Sequence, residues 1–165
     1  MKIQKKILPI LLSIVIVGGS YLSMGLTAYA EEIEVPGYCE YTETEKESIV
    51  SWYAISRGTY LKEGICGIAD AGKKKVTVSV TTTAHKVCDT VRASVYLDES
   101  SDGGKSFGQI GSYYFSANST ATCHGSEPNI SVISGWYYMA RGAHSVTKGS
   151  TTESSTTHTG ALKAS

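Results

Sequence analysis

Past residue 30 the chain is poor in several things at once. It has no long apolar run there, only two prolines (Pro36 and Pro128), two tryptophans and two phenylalanines. The missing run excludes a helical membrane span in that part. Basic and acidic residues balance at 15 each, and Lys73-Lys74-Lys75 is the only basic run. A nucleic-acid binder needs a clustered basic face, so that class is excluded. Beside Gly72 the lysine run reads as a solvated turn. No two cysteines form a Cys-x-x-Cys half-site for zinc. There is no Gly-x-Ser-x-Gly elbow and no His-Glu-x-x-His, so the common hydrolase signatures are missing. After Gly64 no stretch has helical spacing.

What is present begins with an address. Lys2, Lys5 and Lys6 precede an apolar stretch over residues 7–17, and Ala28-Tyr29-Ala30 forms a small-x-small site followed by Glu31-Glu32. That order is a secretory signal peptide. Residues 7–30 carry no charge and also suit an uncleaved anchor; Gly18-Gly19 and the polar Ser20, Ser23 and Thr27 favour cleavage. Residues 160–165 carry no hydrophobic tail or sorting motif, so release is expected. The expected organisation is a signal peptide over 1–30, an acidic arm over 31–55 and a β-domain over 56–165. The exported part holds 12 basic and 15 acidic residues, and seven glutamates crowd residues 31–47. That acidic stretch, poor in branched apolar residues, reads as a linker. Residues 49–60 fit a short helix and a strand alike.

Val76, Val78 and Val80 alternate with polar residues, as do Val91, Ala93, Val95 and Leu97. A period of two with β-branched residues predicts half-buried strands. Further strands are predicted over residues 65–69, 107–115, 130–133, 136–140 and 152–162. About seven short strands joined by Gly/Ser/Asp turns predict an all-β, antiparallel, immunoglobulin-like sandwich. Of the aromatic residues 11 are Tyr, which suits sandwich rims.

All four cysteines lie beyond the leader, and an even count in an exported chain predicts two disulfides. With strands alternating up and down, Cys88 and Cys123 fall in loops at one end, which makes Cys88–Cys123 plausible. Cys39–Cys66 is then left to pin the acidic arm.

Ser100, Asp102, Gly104, Ser106 and Phe107 match an Asp-box, a structural hairpin motif in which the carboxylate ties down backbone donors and the ring packs beneath. Asp98, Ser100, Asp102 and Gly103 also match the opening of a calcium loop, but Gln109 stands where a bidentate Glu is required. His85, His124 and His144 gather at one end on this topology, which opens a metal-site or hydrolase alternative. In Tyr113-Tyr114-Phe115 and Trp136-Tyr137-Tyr138, alternation sends Tyr114 and Tyr137 to the face opposite their neighbours. Tyr114, Tyr137 and His144 are the candidate ligand surface. The Ser/Thr-rich residues 145–159 suggest an amphipathic toxin strand, but the apolar lipid face is missing.

Arg57-Gly58-Thr59-Tyr60-Leu61, residues 91–97, Gly135-Trp136-Tyr137-Tyr138, Arg141-Gly142-Ala143-His144-Ser145 and Glu153-Ser154-Ser155-Thr156 together resemble a group of small secreted proteins of Gram-positive, often gut-dwelling bacteria. That group is classed as a domain of unknown function. The resemblance spans about 110 residues, from Ser56 on. It implies export and an all-β domain and supplies no activity, ligand or catalytic residue. The expected role is therefore a secreted, non-catalytic binding module for a surface glycan or protein, with no cofactor, no metal and no nucleic acid. The membrane enters only through the leader, if uncleaved. The alternatives are a hydrolase or metal-binding protein using the histidines, and a membrane-active toxin.

Overall fold

The computed structural model describes residues 31–55 and 60–165; the predicted signal peptide lies outside them. These residues are all-β. Nine strands form one mixed sheet: β1 (Glu31–Glu34), β2 (Gly37–Glu43), β3 (Glu47–Ala54), β4 (Leu61–Asp70), β5 (Lys75–Ser100), β6 (Gly108–Ser131), β7 (Tyr137–Lys148), β8 (Thr151–His158) and β9 (Leu162–Lys163). The order is β1-β8-β7-β5-β4-β3-β2; β6 pairs β5, and β9 pairs β7. Only the β1–β8 pair is parallel.

The organising element is β5, a single strand of 26 residues. Its first arm buries Val76, Val78, Val80, Thr82 and Ala84; its second buries Val91, Ala93, Val95 and Leu97. Inward positions change from even to odd between the arms. The ladder to β6 is irregular between Thr83 and Cys88, where that change occurs. An extra residue in one strand re-aims side chains and bends the backbone. The first arm pairs with β4 and the second, along the same edge, with β7. The bend therefore folds β4-β3-β2 against β7-β8-β1. β4 packs on β7 and β8, and β3 on β8. The curled sheet encloses a core of Val50, Leu61, Ile68, Val95, Leu97, Tyr138 and Val146, each at most 1% exposed.

This differs from a seven-stranded antiparallel sandwich. Two pairs of expected strands are fused: residues 76–80 and 91–97 in β5, and 107–115 and 130–133 in β6. The intervening segments, rich in Thr and Ser, continue as strand through a bend where a loop is expected. The acidic stretch is also part of the sheet. Its strands β2 and β3 pair from Gly37↔Ala54 to Glu43↔Ser48, and β1 lies on β8. Residues 47–54 settle as a strand, with Val50 and Trp52 inward.

Candidate ligand-binding face

The inner and outer faces of the second arm differ in chemistry because β-strand side chains alternate. On β7, Tyr138, Ala140, Gly142, His144 and Val146 point in; Met139, Arg141, Ala143, Ser145 and Thr147 point out. The register sets Arg92 beside Ser145 and Ser94 beside Ala143, with Ser145 beside Ser154 and Ala143 beside Thr156. Small side chains on three adjacent strands leave a shallow concavity of about 190 Å³ on the outer face. Ser94, Ala143, Ser145, Ser154 and Thr156 line it, with Arg92 at one margin and Glu32 at the other. Arg92 is exposed and, among the described residues, carries no ion pair.

An aromatic pair borders this floor. Tyr114 of β6 lies opposite Ser94 and is 69% exposed. Its ring meets Tyr96 edge-on, with centroids 6.0 Å apart. The Arg141 guanidinium sits 5.4 Å from the Tyr96 centroid. Arg141 is held in place by Asp98 through Nε and through Nη2 (3.0 Å), and Nη2 also donates to Gln109 Oε1 at 2.9 Å. Burial, followed by the neighbouring Tyr114, raises the Tyr96 phenol. The assembly presents a fixed ring, an exposed ring and hydroxyls around a dip, which suits stacking and hydrogen bonding to a polyol.

The structure does not gather Tyr114, Tyr137 and His144 on one surface. Tyr137 does face outward, but it lies opposite Ser100, six residues along β5 from Ser94. That is roughly 20 Å at the strand rise. The Asp-box-like loop covers it: a Cβ at Gly104 would lie 3.9 Å from the rings of both Tyr137 and Phe107. The loop joins β5 to β6. Asp102 Oδ1 accepts from Ser100 Oγ (2.6 Å) and from the Lys105 and Ser106 amides (2.9 and 3.0 Å). Its Oδ2 accepts from Ser106 Oγ at 2.6 Å, and the Gly104 amide donates to Ser100 Oγ at 2.9 Å. These donors hold the Asp102 carboxyl well below the usual range. Gly103 and Gly104 take positive φ (81° and 85°), where a side chain would be strained.

His144 is in the core, 1% exposed. Its Nδ1 lies 2.9 Å from Thr82 Oγ1 and its Nε2 2.9 Å from Thr157 Oγ1. Burial lowers its pKa to about 4, so the ring is neutral, with one nitrogen donating and the other accepting. Gly64 and Gly142 make room: a Cβ at Gly64 would fall 2.6 Å from His144 Cγ, and one at Gly142 would fall 2.8 Å from Nε2. Cys66 adjoins the same cluster, and burial, eased by the Thr157 hydroxyl, pushes its thiol up to about 12. His85 and His124 are exposed; His124 Nδ1 lies 2.8 Å from Thr81 Oγ1. Because Thr81 and Thr82 face opposite ways, His124 and His144 stand on opposite sides of the sheet. The expected cluster of three histidines is thus split. Among the described residues, no three His, Cys, Asp or Glu side chains sit together as a metal site.

All four cysteines are free thiols. Cys39 on β2 and Cys66 on β4 are separated by β3, opposite Trp52 and Val50 respectively. Two strand spacings are roughly 9.5 Å, beyond a disulfide's Cα reach. Cys88 and Cys123 are buried near the bend of β5 and β6. Sequence reasoning missed two members of the site, Arg92 and Tyr96. Their signal was available: both stand in outward register with Ser94, between buried Val91, Ala93, Val95 and Leu97.

Among the described residues, no helix is long and apolar enough to cross a membrane. No curated protein and no solved structure matches the chain. A family model described as a family of unknown function, DUF6147, matches residues 26–162, and the chain belongs to that family.

Proposed function

We propose that the chain is an exported, non-catalytic binding module of a Gram-positive bacterium, and that its ligand is a surface glycan received on the outer face of β5, β7 and β8. The observation that carries this reading is the hydroxyl-lined concavity of about 190 Å³ with Arg92, which has no ion pair among the described residues, at its margin and the exposed Tyr114 on the next strand opposite Ser94. Its volume lies below the usual range of drug-sized pockets, so it would receive only a small part of a chain ligand. A non-catalytic role is supported by the state of His144, whose nitrogens are both engaged by threonine hydroxyls in the core. Export is supported by the leader-like residues 1–30.

Two measurements test it. N-terminal sequencing of protein recovered from the medium should begin at Glu31; retention of Met1 overturns cleavage. On a glycan array, the secreted protein should bind a restricted set of sugars, and Tyr114→Ala or Arg92→Ala should weaken that binding at least tenfold. An array with no signal, or signal indifferent to both substitutions, overturns the glycan reading.

A further inference from the structure

We propose that β6 is a self-association strand, along which two copies of this chain join edge to edge over residues 108–123. This goes beyond the ligand face and does not depend on it.

Three observations converge on this strand. First, among the described residues β6 pairs only with β5 and leaves its other edge open. A free edge is a row of unpaired amides and carbonyls, a template for another strand. Second, the edge carries no charged or proline guard. Residues 108–123 contain no Asp, Glu, Lys, Arg, His or Pro. The two ends of the sheet path are guarded: β1 has three glutamates in four residues, and β2 has two in seven. Third, the core is incomplete there. Inward-facing Tyr113, Phe115 and Ala117 are only partly buried, whereas their β5 partners Val95, Ala93 and Val91 are fully buried. Ile110 is 46% exposed on the same segment. The unprotected backbone and the uncovered apolar row coincide.

The occupant that fits is a second copy in antiparallel pairing. A two-fold axis perpendicular to the sheet keeps both concave faces on one side, so each copy's Tyr113, Phe115 and Ala117 row covers the other's. A neutral edge meets itself without charge repulsion, and a two-fold interface needs such self-complementarity. Pairing would also set two ligand faces side by side.

Sedimentation velocity on the secreted protein tests this, with Ser112→Glu/Ser116→Glu as the disrupting variant. Both positions are on the outer face; Ser116 lies opposite Arg92, and Ser112 accepts from Gln109 Nε2 at 2.8 Å, a donor that a carboxylate can keep. Across the seam they meet like charges. The wild type should sediment as a dimer at tens of micromolar, and the variant should be monomeric, its dissociation constant raised at least tenfold with circular dichroism unchanged. Glu40→Gln on β2 should leave the dimer intact. A wild type that stays monomeric, or a dimer indifferent to the Ser112/Ser116 pair, overturns the proposal. Should the variant misfold, hydrogen exchange on diluted wild type decides. Protection of residues 108–123 must fall as the dimer dissociates; constant protection refutes it.

Discussion

One strand, β5, has two very different flanks. On the β4/β7 side the inner faces are sealed: Cys66, Ile68, Tyr138, Ala140 and His144 are all at most 1% exposed. On the β6 side the inner row is only partly covered. The sealed flank exists because the β5 bend folds two lobes together, so every inward side chain there has partners from both. The β6 flank follows the same bend but has no lobe beyond it. Within one strand, burial is therefore decided by what lies past the neighbour, since both neighbours pair equally well.

The sharpest way to break the comparison is to truncate matched core residues. Ile68→Ala on the sealed flank should lower stability by about 2–5 kcal/mol, in the range for buried large-to-small changes. Phe115→Ala on the open flank should cost less in the monomer despite removing a larger ring. Urea melts of both variants check this, and an equal or greater loss at Phe115 would erase the distinction.

Acid should act on the sealed flank next. The folded pKa of His144 is lowered to about 4, against about 6.5 unfolded. The unfolded chain therefore takes up the proton first. Stability is whole above about pH 6.5, falls as pH drops, and the loss is complete near pH 4, on the order of 3 kcal/mol in all. A His144→Gln variant should flatten that slope in pH-dependent melts.

Adding a methyl is a smaller test. Gly64→Ala drives a Cβ into the His144 ring and should cost about 1–3 kcal/mol as overpacking. Gly108→Ala, which meets nothing within 4 Å on β6, should be near neutral. The smallest effect is local. Asp102→Asn removes the charged acceptor of the β5–β6 loop, and the Lys105 and Ser106 amides should exchange faster while the global melting temperature stays nearly unchanged.

Much of this was legible in residue order. Val76, Val78 and Val80 and then Val91, Ala93, Val95 and Leu97 announce strands by alternation, and the change of parity between them marks the bend. The residues between, from Thr81 to Thr90, hold a single branched apolar side chain, Val87, so by sequence the segment reads as a loop. Its Thr82, Ala84 and Cys88 are nevertheless buried, while His85, Lys86 and Val87 lie exposed on the bend. The glutamates of residues 31–47 mislead in a similar way. Composition suggested a linker, but an edge strand needs only one buried neighbour and accepts charge on the rest. His144 lies in phase with Tyr138, Ala140, Gly142 and Val146, so its inward direction was available, against the prior that a histidine in a polar stretch faces solvent.

The sequence alone determined the all-β class, most strand positions and the loop built around Asp102. These depend on period-two alternation and on hydrogen bonds between residues a few positions apart. Only the tertiary structure decided that β5 and β6 are single bent strands, that His144 lies between Thr82 and Thr157, and that Arg92 borders the concavity while Tyr114 lies opposite Ser94 on the next strand. Those facts depend on register between strands dozens of residues apart. Register follows from the packing of the whole sheet, which no local stretch encodes.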